Sequence, residues 1–375
     1  MLKLSNLSIE IADHELGTMV ESLTIFESIK GSIKGSFAIQ DNINFYDTFI
    51  GHVQPIIDIS FTYLNSECSN SFMGDGISKM NITKTGKSYI VHFHSIQSAD
   101  LKLKNINHAY SGMSHEVILG IWKESVHEDS LLVIDNEAVT NGKYVVPNIS
   151  AGIAISNVLD CACDNGSSGF YLYQRLFDQG VTRLTSINGM KKHFKLGSNK
   201  NYVISNNIVS LDLEQSNIGT IGTSNSFILE EFSRNFTNKV ADGNYGNKIH
   251  QVEIDETKTK KNEAIEITNN QITKFKLSSQ LYENGVVSIF STANDPIVLA
   301  AKNEKKRMFN QYLNVLNVVA VPNIGVGQSV EIATGGSDKS SSRQDTNYII
   351  ANINHKFVID DGKFSYAQDM GLVRR

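Results

Sequence analysis

Apolar residues recur at every second position through most of the first hundred residues, and that rhythm restricts the fold more than any other feature of the chain. Leu2 and Leu4 begin it, and Leu7, Ile9 and Ile11 continue it. Ile33, Phe37 and Ile39 repeat it, as do Ile57, Ile59, Phe61 and Tyr63, and then Tyr89, Val91 and Phe93. Side chains alternate between the two faces of a strand, so each group lays one apolar face against a core. Lys30-Gly31-Ser32, Asp41-Asn42, Gly74-Asp75-Gly76 and Lys84-Thr85-Gly86-Lys87 fall between the groups and read as turns. Short strands at this spacing predict an antiparallel barrel or sandwich over residues 1–104.

The period then lengthens. Ser114 is a predicted N-cap, and Val117, Ile118, Ile121 and Trp122 follow as one helical stripe. A second helix is expected from Ser150, with Ile153, Ala154, Val158 and Cys161 on one face and Asn165-Gly166 as its stop. Phe170–Tyr173 reads as a strand paired with Val181–Leu184 across Asp178-Gln179-Gly180, which makes 105–195 a small α/β unit. Strand character returns in Tyr202–Ile204 and Ile208–Leu213, before a polar stretch, 227–295, whose strand candidates are Lys248–Ile254 and Val286–Phe290. Asp295-Pro296 marks a helix start, with Ala300, Ala301, Glu304, Met308 and Tyr312 along one face. Strands follow at Val315–Val321, Ser329–Ile332, Tyr348–Phe357 and Phe364–Val373, the last two joined at Asp360-Asp361-Gly362. These are too few to close a barrel alone, so they are expected to complete one with 196–226, leaving 227–311 as an insertion.

Composition narrows the function. The 375 residues suffice for roughly two to four domains. No run approaches the about 20 apolar residues that cross a bilayer, and Met1–Asn6 lacks the order of a signal peptide. No membrane anchor is expected, and synthesis in a cytoplasm is. A net charge of −5 lacks the basic excess that stable nucleic-acid binding requires. Cys68, Cys161 and Cys163 are expected to be reduced. The 4 prolines leave no stiff linker, so connections between domains should be short.

Candidate chemistry is sparse. His92 and His94 share a strand face at a spacing that can ligate a metal, but no third ligand lies nearby in sequence, and they read as the polar side of that strand. Cys161 and Cys163 point apart at a helix end. Gly325-Val326-Gly327 precedes a strand, where no helix N-terminus could receive an anion, and reads as a turn. Asp360 and Asp361 sit at a hairpin tip, where solvation denies them the split pKa values of an acid/base pair. Lys258-Thr259-Lys260-Lys261 and Lys302, Lys305, Lys306 and Arg307 read as solvated faces. No nucleophile elbow, phosphate loop or zinc-binding helix motif occurs, so no enzyme, cofactor or metal is expected.

Several segments carry a family likeness. Leu23–Ile29 passes into Gly35–Asp41. Ser95–Leu103 leads to Tyr110–Ser114 and the helix ending at Trp122. Asn157–Leu159 runs through Ser168-Gly169 to the aromatic strand Phe170–Gln174. Ile324–Ile332 is followed by Tyr348–His355, with a His in the penultimate strand. Together with the segment order, they resemble the baseplate hub protein of contractile-tailed phages, the T-even-type trimeric hub that initiates the tail tube.

The resemblance implies a mainly β chain with α+β inserts. Two tube-like antiparallel β-barrel domains, 1–104 and the split 196–226 with 312–375, would be joined by two lateral domains, 105–195 and 227–311, the latter ending in a helix over 296–311. It further implies a homotrimer whose pseudo-sixfold ring joins the tail tube to the central spike and forms part of the DNA conduit. The partners implied are the tail tube protein, a central spike or lysozyme-like protein and the surrounding baseplate proteins, with DNA only passing through the lumen. The location implied is the virion tail tip, assembled in the host cytoplasm. Strands near Leu7–Ile11, Ile33–Gln40 and Tyr348–Phe357 would form the tube wall, and contacts to neighbouring rings or subunits are expected at Gly335, Ser337, Asp338, Ser341, Arg343 and Gln344. The alternative is a carbohydrate-binding or cell-wall-degrading phage tail β-protein. It would need aromatic platforms or two carboxylates about 5–9.5 Å apart, and the single Trp122 falls instead on a helical core stripe.

Overall fold

The alternating segments form strands with the expected inward faces. In a computed structural model of the chain, the described residues are 5–51, 55–63, 66–83, 86–165, 168–193, 201–205, 218–222, 228–231, 249–252, 263–268, 271–276, 286–287, 298, 301–302, 304–305, 308–309, 312–319, 324–333, 347–360 and 363–374. The first part holds β1 (Ser5–Ile11), β2 (His14–Glu15), β3 (Val20–Ser28), β4 (Gly31–Asp41), α1 (Phe45–Gly51), β5 (Ile56–Tyr63), β6 (Ser66–Thr83) and β7 (Gly86–Ser95). An α/β part follows: α2 (Ile96–Leu103), β8 (Asn105–Met113), α3 (Ser114–Ser125), β9 (Leu132–Ile134), β10 (Asn141–Ser150), α4 (Ala151–Cys161), β11 (Phe170–Gln174), β12 (Thr182–Ser186) and α5 (Ile187–His193). Then come β13 (Asn201–Ser205), β14 (Ile218–Gly222), β15 (Ile228–Glu231), β16 (Ile249–Val252), β17 (Glu263–Thr268), β18 (Gln271–Lys276) and β19 (Val286–Val287). The chain ends in β20 (Tyr312–Val319), β21 (Ser329–Ala333), β22 (Asn347–Asp360) and β23 (Lys363–Arg374).

The fold is mainly β, with antiparallel pairing throughout most of it. A 14-stranded sheet runs β14-β13-β21-β22-β3-β4-β7-β6-β5-β1-β2, and β23, β20 and β15 branch from β22 in that order. The parallel pairs in this sheet are β13 with β14 and β13 with β21. Strands β8 and β10 form a ribbon, β11-β12-β9 a small mixed sheet, and β18-β17-β16-β19 a separate sheet.

Strand β22 is 14 residues long, so it spans about 45 Å at about 3.3 Å per residue. One edge pairs first with β21 through Tyr348 and Ile349 and then with β3 from Asn352 to Val358. Its first half contributes Ile349, Ile350 and Ile353 to one core, and its second half contributes Phe357 to another that also holds Ile9, Phe37, Ile59 and Val91. On β23, Met370, Leu372 and Val373 belong to the former core and Tyr366 to the latter. A third core packs the α3 stripe Val117, Ile118, Ile121 and Trp122 against α4 and β11.

Four local expectations are corrected. Gly74-Asp75-Gly76 is not a turn: it lies inside the 18-residue β6, where the register against β7 shifts between Gly74 and Gly76. The same residues that permit a turn permit a bulge, and Gly76 adopts φ +154°. The N-cap of α3 is Met113, whose N–H donates to the Glu116 carboxylate at 2.9 Å. Ser114 is instead buried, with its hydroxyl among Thr140 and Tyr144. Helix α4 ends at Cys161, before Asn165-Gly166, because Ala162 turns extended and Cys163 bridges to Gly169. Its inward face is Ala151, Ala154, Ile155 and Val158, and Ile153 is 54% exposed. Finally, Tyr312 opens β20, paired with Val373, and does not extend a helix. The candidates Ile208–Leu213 and Asp295-Pro296 lie outside the described residues.

Candidate functional site: a buried polar junction

Strand β3 places Leu23, Ile25 and Glu27 on one buried face, so Glu27 brings a carboxylate to a position its neighbours fill with hydrocarbon. It is 0% exposed and fully partnered. Its Oε1 accepts from the Leu176 backbone N–H at 2.6 Å and faces His355 Nε2 at 3.0 Å, while Oε2 accepts from the Val326 N–H at 3.2 Å. His355 Nδ1 lies 2.6 Å from the Tyr366 hydroxyl, to which the Gln368 amide donates at 3.0 Å. Donors and acceptors close when Nε2 carries the imidazole proton toward Glu27 and Tyr366 donates to Nδ1.

The carboxylate thus ties together four parts distant in sequence: β3, β22, the 3-10 turn Leu176–Asp178 after β11, and the turn before β21. Arg175 reinforces the last link by donating from Nε to the Val326 carbonyl at 2.8 Å. Gly325-Val326-Gly327 is therefore the expected turn with a structural role. A Cβ at Gly325 would come within 2.7 Å of Arg175 Cδ, and Gly327 has φ +78° against the Tyr173 ring. Asn70 Nδ2 closes the far side onto the Leu176 carbonyl at 2.8 Å. Burial, aided by the Glu27 charge, pushes the Cys68 thiol up to about 12, and burial drives the Tyr366 hydroxyl well above its ordinary value. Both groups stay protonated, which suits a fastening and denies the junction a nucleophile.

The other residues singled out by sequence disperse. His92 Nε2 lies 2.6 Å from the Ser78 hydroxyl, and His94 Nδ1 is 3.6 Å from Asp75 Oδ1. Among the described residues no group of three or more His, Cys, Asp or Glu could hold a metal ion. No disulfide joins Cys68, Cys161 and Cys163. Lys305, expected on a solvated face, is largely buried: its ammonium donates to the Leu159 carbonyl at 3.1 Å, which also accepts from the Ala162 N–H at 3.4 Å, and sits over the Tyr171 ring, placing a cation at the C-terminal end of α4. Lys302 is exposed. Gly335, Ser337, Asp338, Ser341, Arg343 and Gln344, like Lys258–Lys261, Lys306, Arg307 and Asp361, lie outside the described residues. Sequence reasoning passed over Glu27, and its signal was a charged residue in an apolar register.

No protein-family model matches the sequence, and no curated protein matches it. Solved structures do match in shape. The tail protein from Neisseria meningitidis MC58 superposes with a TM-score of 0.58 at 8% identity, covering 98% of this chain and 96% of that one. The 43 kDa tail protein of prophage MuSo2 from Shewanella oneidensis gives 0.56 at 11% identity, covering 99% and 98%. The E. coli c3393 protein gives 0.55 at 10% identity, covering 98% and 76%; it is a component of the type VI secretion system with structural similarity to the T4 bacteriophage tail proteins gp27 and gp5. At these identities the likeness is one of fold, and across nearly its whole length this chain has the fold of those phage-type tail proteins.

Proposed function

We propose that the chain is a structural hub at a phage tail tip: a homotrimer whose ring joins the tail tube to the central spike and lines part of the DNA conduit. The observation that carries this reading is fold likeness over 98% of the chain to a protein itself similar to gp27 and gp5. Residues 1–104 and 196–226 with 312–375 would be the two tube-like modules, and 105–195 and 227–311 the lateral ones. The hairpin β22–β23, which feeds two cores, supports a rigid two-module plate. A net charge of −5 suits a conduit that must release its cargo. Neighbouring rings would be met by the loop carrying Gly335, Ser337, Asp338, Ser341, Arg343 and Gln344. The glycan-binding alternative would need an exposed aromatic platform, whereas Trp122 is only 3% exposed on α3 and its indole N–H donates to the Ser130 carbonyl at 3.2 Å. Light scattering on the purified protein, alone and mixed with candidate tube and spike proteins, tests the reading. A mass of three times 41.5 kDa is expected, and a monomer under every condition overturns it.

A further inference from the structure

Where the β3–β4 turn meets α2, α4 and β11, the molecule leaves a cleft of about 310 Å³, open to solvent on one side. Close-packed interiors leave few voids larger than a water molecule, so a cleft of this size is a feature of the surface and not slack in a core. Its walls are Leu101, Trp122, Ile155, Leu159 and Leu172. The amides at its floor are already engaged: Gln174 donates to Gln97 at 2.9 Å and to Thr182 at 3.1 Å, which holds the floor rigid. Two exposed cations, Lys30 and Lys102, stand at the rim. The Lys30 ammonium is fixed 3.6 Å above the Phe309 ring, so it is held in place rather than swept through solvent. Gly31, beside Lys30 in the cleft lining, leaves open space where a side chain would stand.

We propose that this cleft docks an acidic segment of a partner polypeptide, which inserts one large apolar side chain between α2 and α4 while its carboxylates meet Lys30 and Lys102. An open cleft would leave a free small molecule half in water, whereas a peptide buries one anchor and rests its flanks on the rim. The paired cations select the charge of those flanks. The site stands on the cleft alone and holds whether or not the chain forms a ring.

The test uses the full chain and a fluorescein-labelled probe, Glu-Glu-Leu-Phe-Glu-Glu. Trp122, the single tryptophan, reports from the cleft wall. Saturable anisotropy with a matching change in Trp122 emission is expected. Gly31→Phe should abolish both, since that glycine has room for a side chain and no positive φ. Lys102→Glu, at an exposed site that does not threaten folding, should weaken binding about fivefold, and replacing the probe's Glu residues by Gln about tenfold. The proposal is overturned if no saturable binding occurs, if the Gln probe or the Lys102→Glu protein binds as tightly, if folded Gly31→Phe binds unchanged, or if dodecanoate shifts Trp122 and the peptide does not.

Discussion

Glu27 sits where Leu23 and Ile25 set an apolar register, and its worth to the fold lies in what it would leave behind. Removing the carboxylate strands the N–H groups of Leu176 and Val326 and the Nε2–H of His355 in a water-free junction. Each buried donor left without an acceptor costs about 1–3 kcal/mol, so Glu27→Ala should lower the urea midpoint steeply. Glu27→Gln keeps one acceptor but turns an amide toward a backbone donor, and should cost about 1–3 kcal/mol. Equal midpoints for Glu27→Ala and the unaltered chain would remove the junction's structural role. His94 carries a pH dependence of the opposite origin. Burial, with Lys102 nearby, holds its pKa below 6.5 against the pull of Asp75. The unfolded chain binds the proton more readily, so this stability is complete above pH 6.5 and lost as pH falls toward the folded value. Thermal melts of His94→Gln should therefore fall less steeply on acidification from pH 7 than those of the unaltered chain.

At the scale of elements, the short helix α1 depends on Asp41. Its Oδ1 accepts from Phe45 N at 2.9 Å and its Oδ2 from Tyr46 N at 2.8 Å. Burial alone would raise this carboxyl, but those bonds and the Tyr89 hydroxyl outweigh it and hold the pKa below 3.8. The contribution is present above pH 3.8 and lost as pH falls through the depressed value. Asp41→Ala should cost about 1–2 kcal/mol at neutral pH, read as a lowered urea midpoint, and the gap should narrow as the pH falls below 3.8. Strands and the α3 stripe were legible because burial imposes their periods on the residues themselves, as Ile57, Ile59, Phe61 and Tyr63 show. The bulge at Gly74–Gly76 was not, because glycine marks any departure from ordinary backbone without saying which. The end of α4 was misplaced because a contact distant in sequence, Cys163 with Gly169, overrides the Asn165-Gly166 signal. Of the buried junction the sequence marked only His355, in the penultimate strand, because its 3.0 Å pairing with Glu27 spans most of the chain.

For the whole molecule, the decisive feature is that β22 and β23 do not belong to one core. Phe357 stacks on Tyr366 with ring centroids 4.4 Å apart and meets Phe61 edge-on at 5.0 Å, while Ile353, four residues earlier, lies in the other core. Buried and half-buried residues alternate from Ala351 to Phe357, across both cores, after a register shift against β23 between Ile350 and Asn352. If the shared hairpin couples the cores, damage to one must loosen the other. Phe357→Ala should remove about 3–5 kcal/mol by leaving a cavity among aromatic rings. Hydrogen exchange followed by mass spectrometry should then show faster exchange in β5, beside the cavity, and also in β21 and the Ile349–Ile353 stretch of β22. Faster exchange confined to β1–β7 would mean that the two cores open independently, and a plate built from them would then flex at β22 instead of moving as one body.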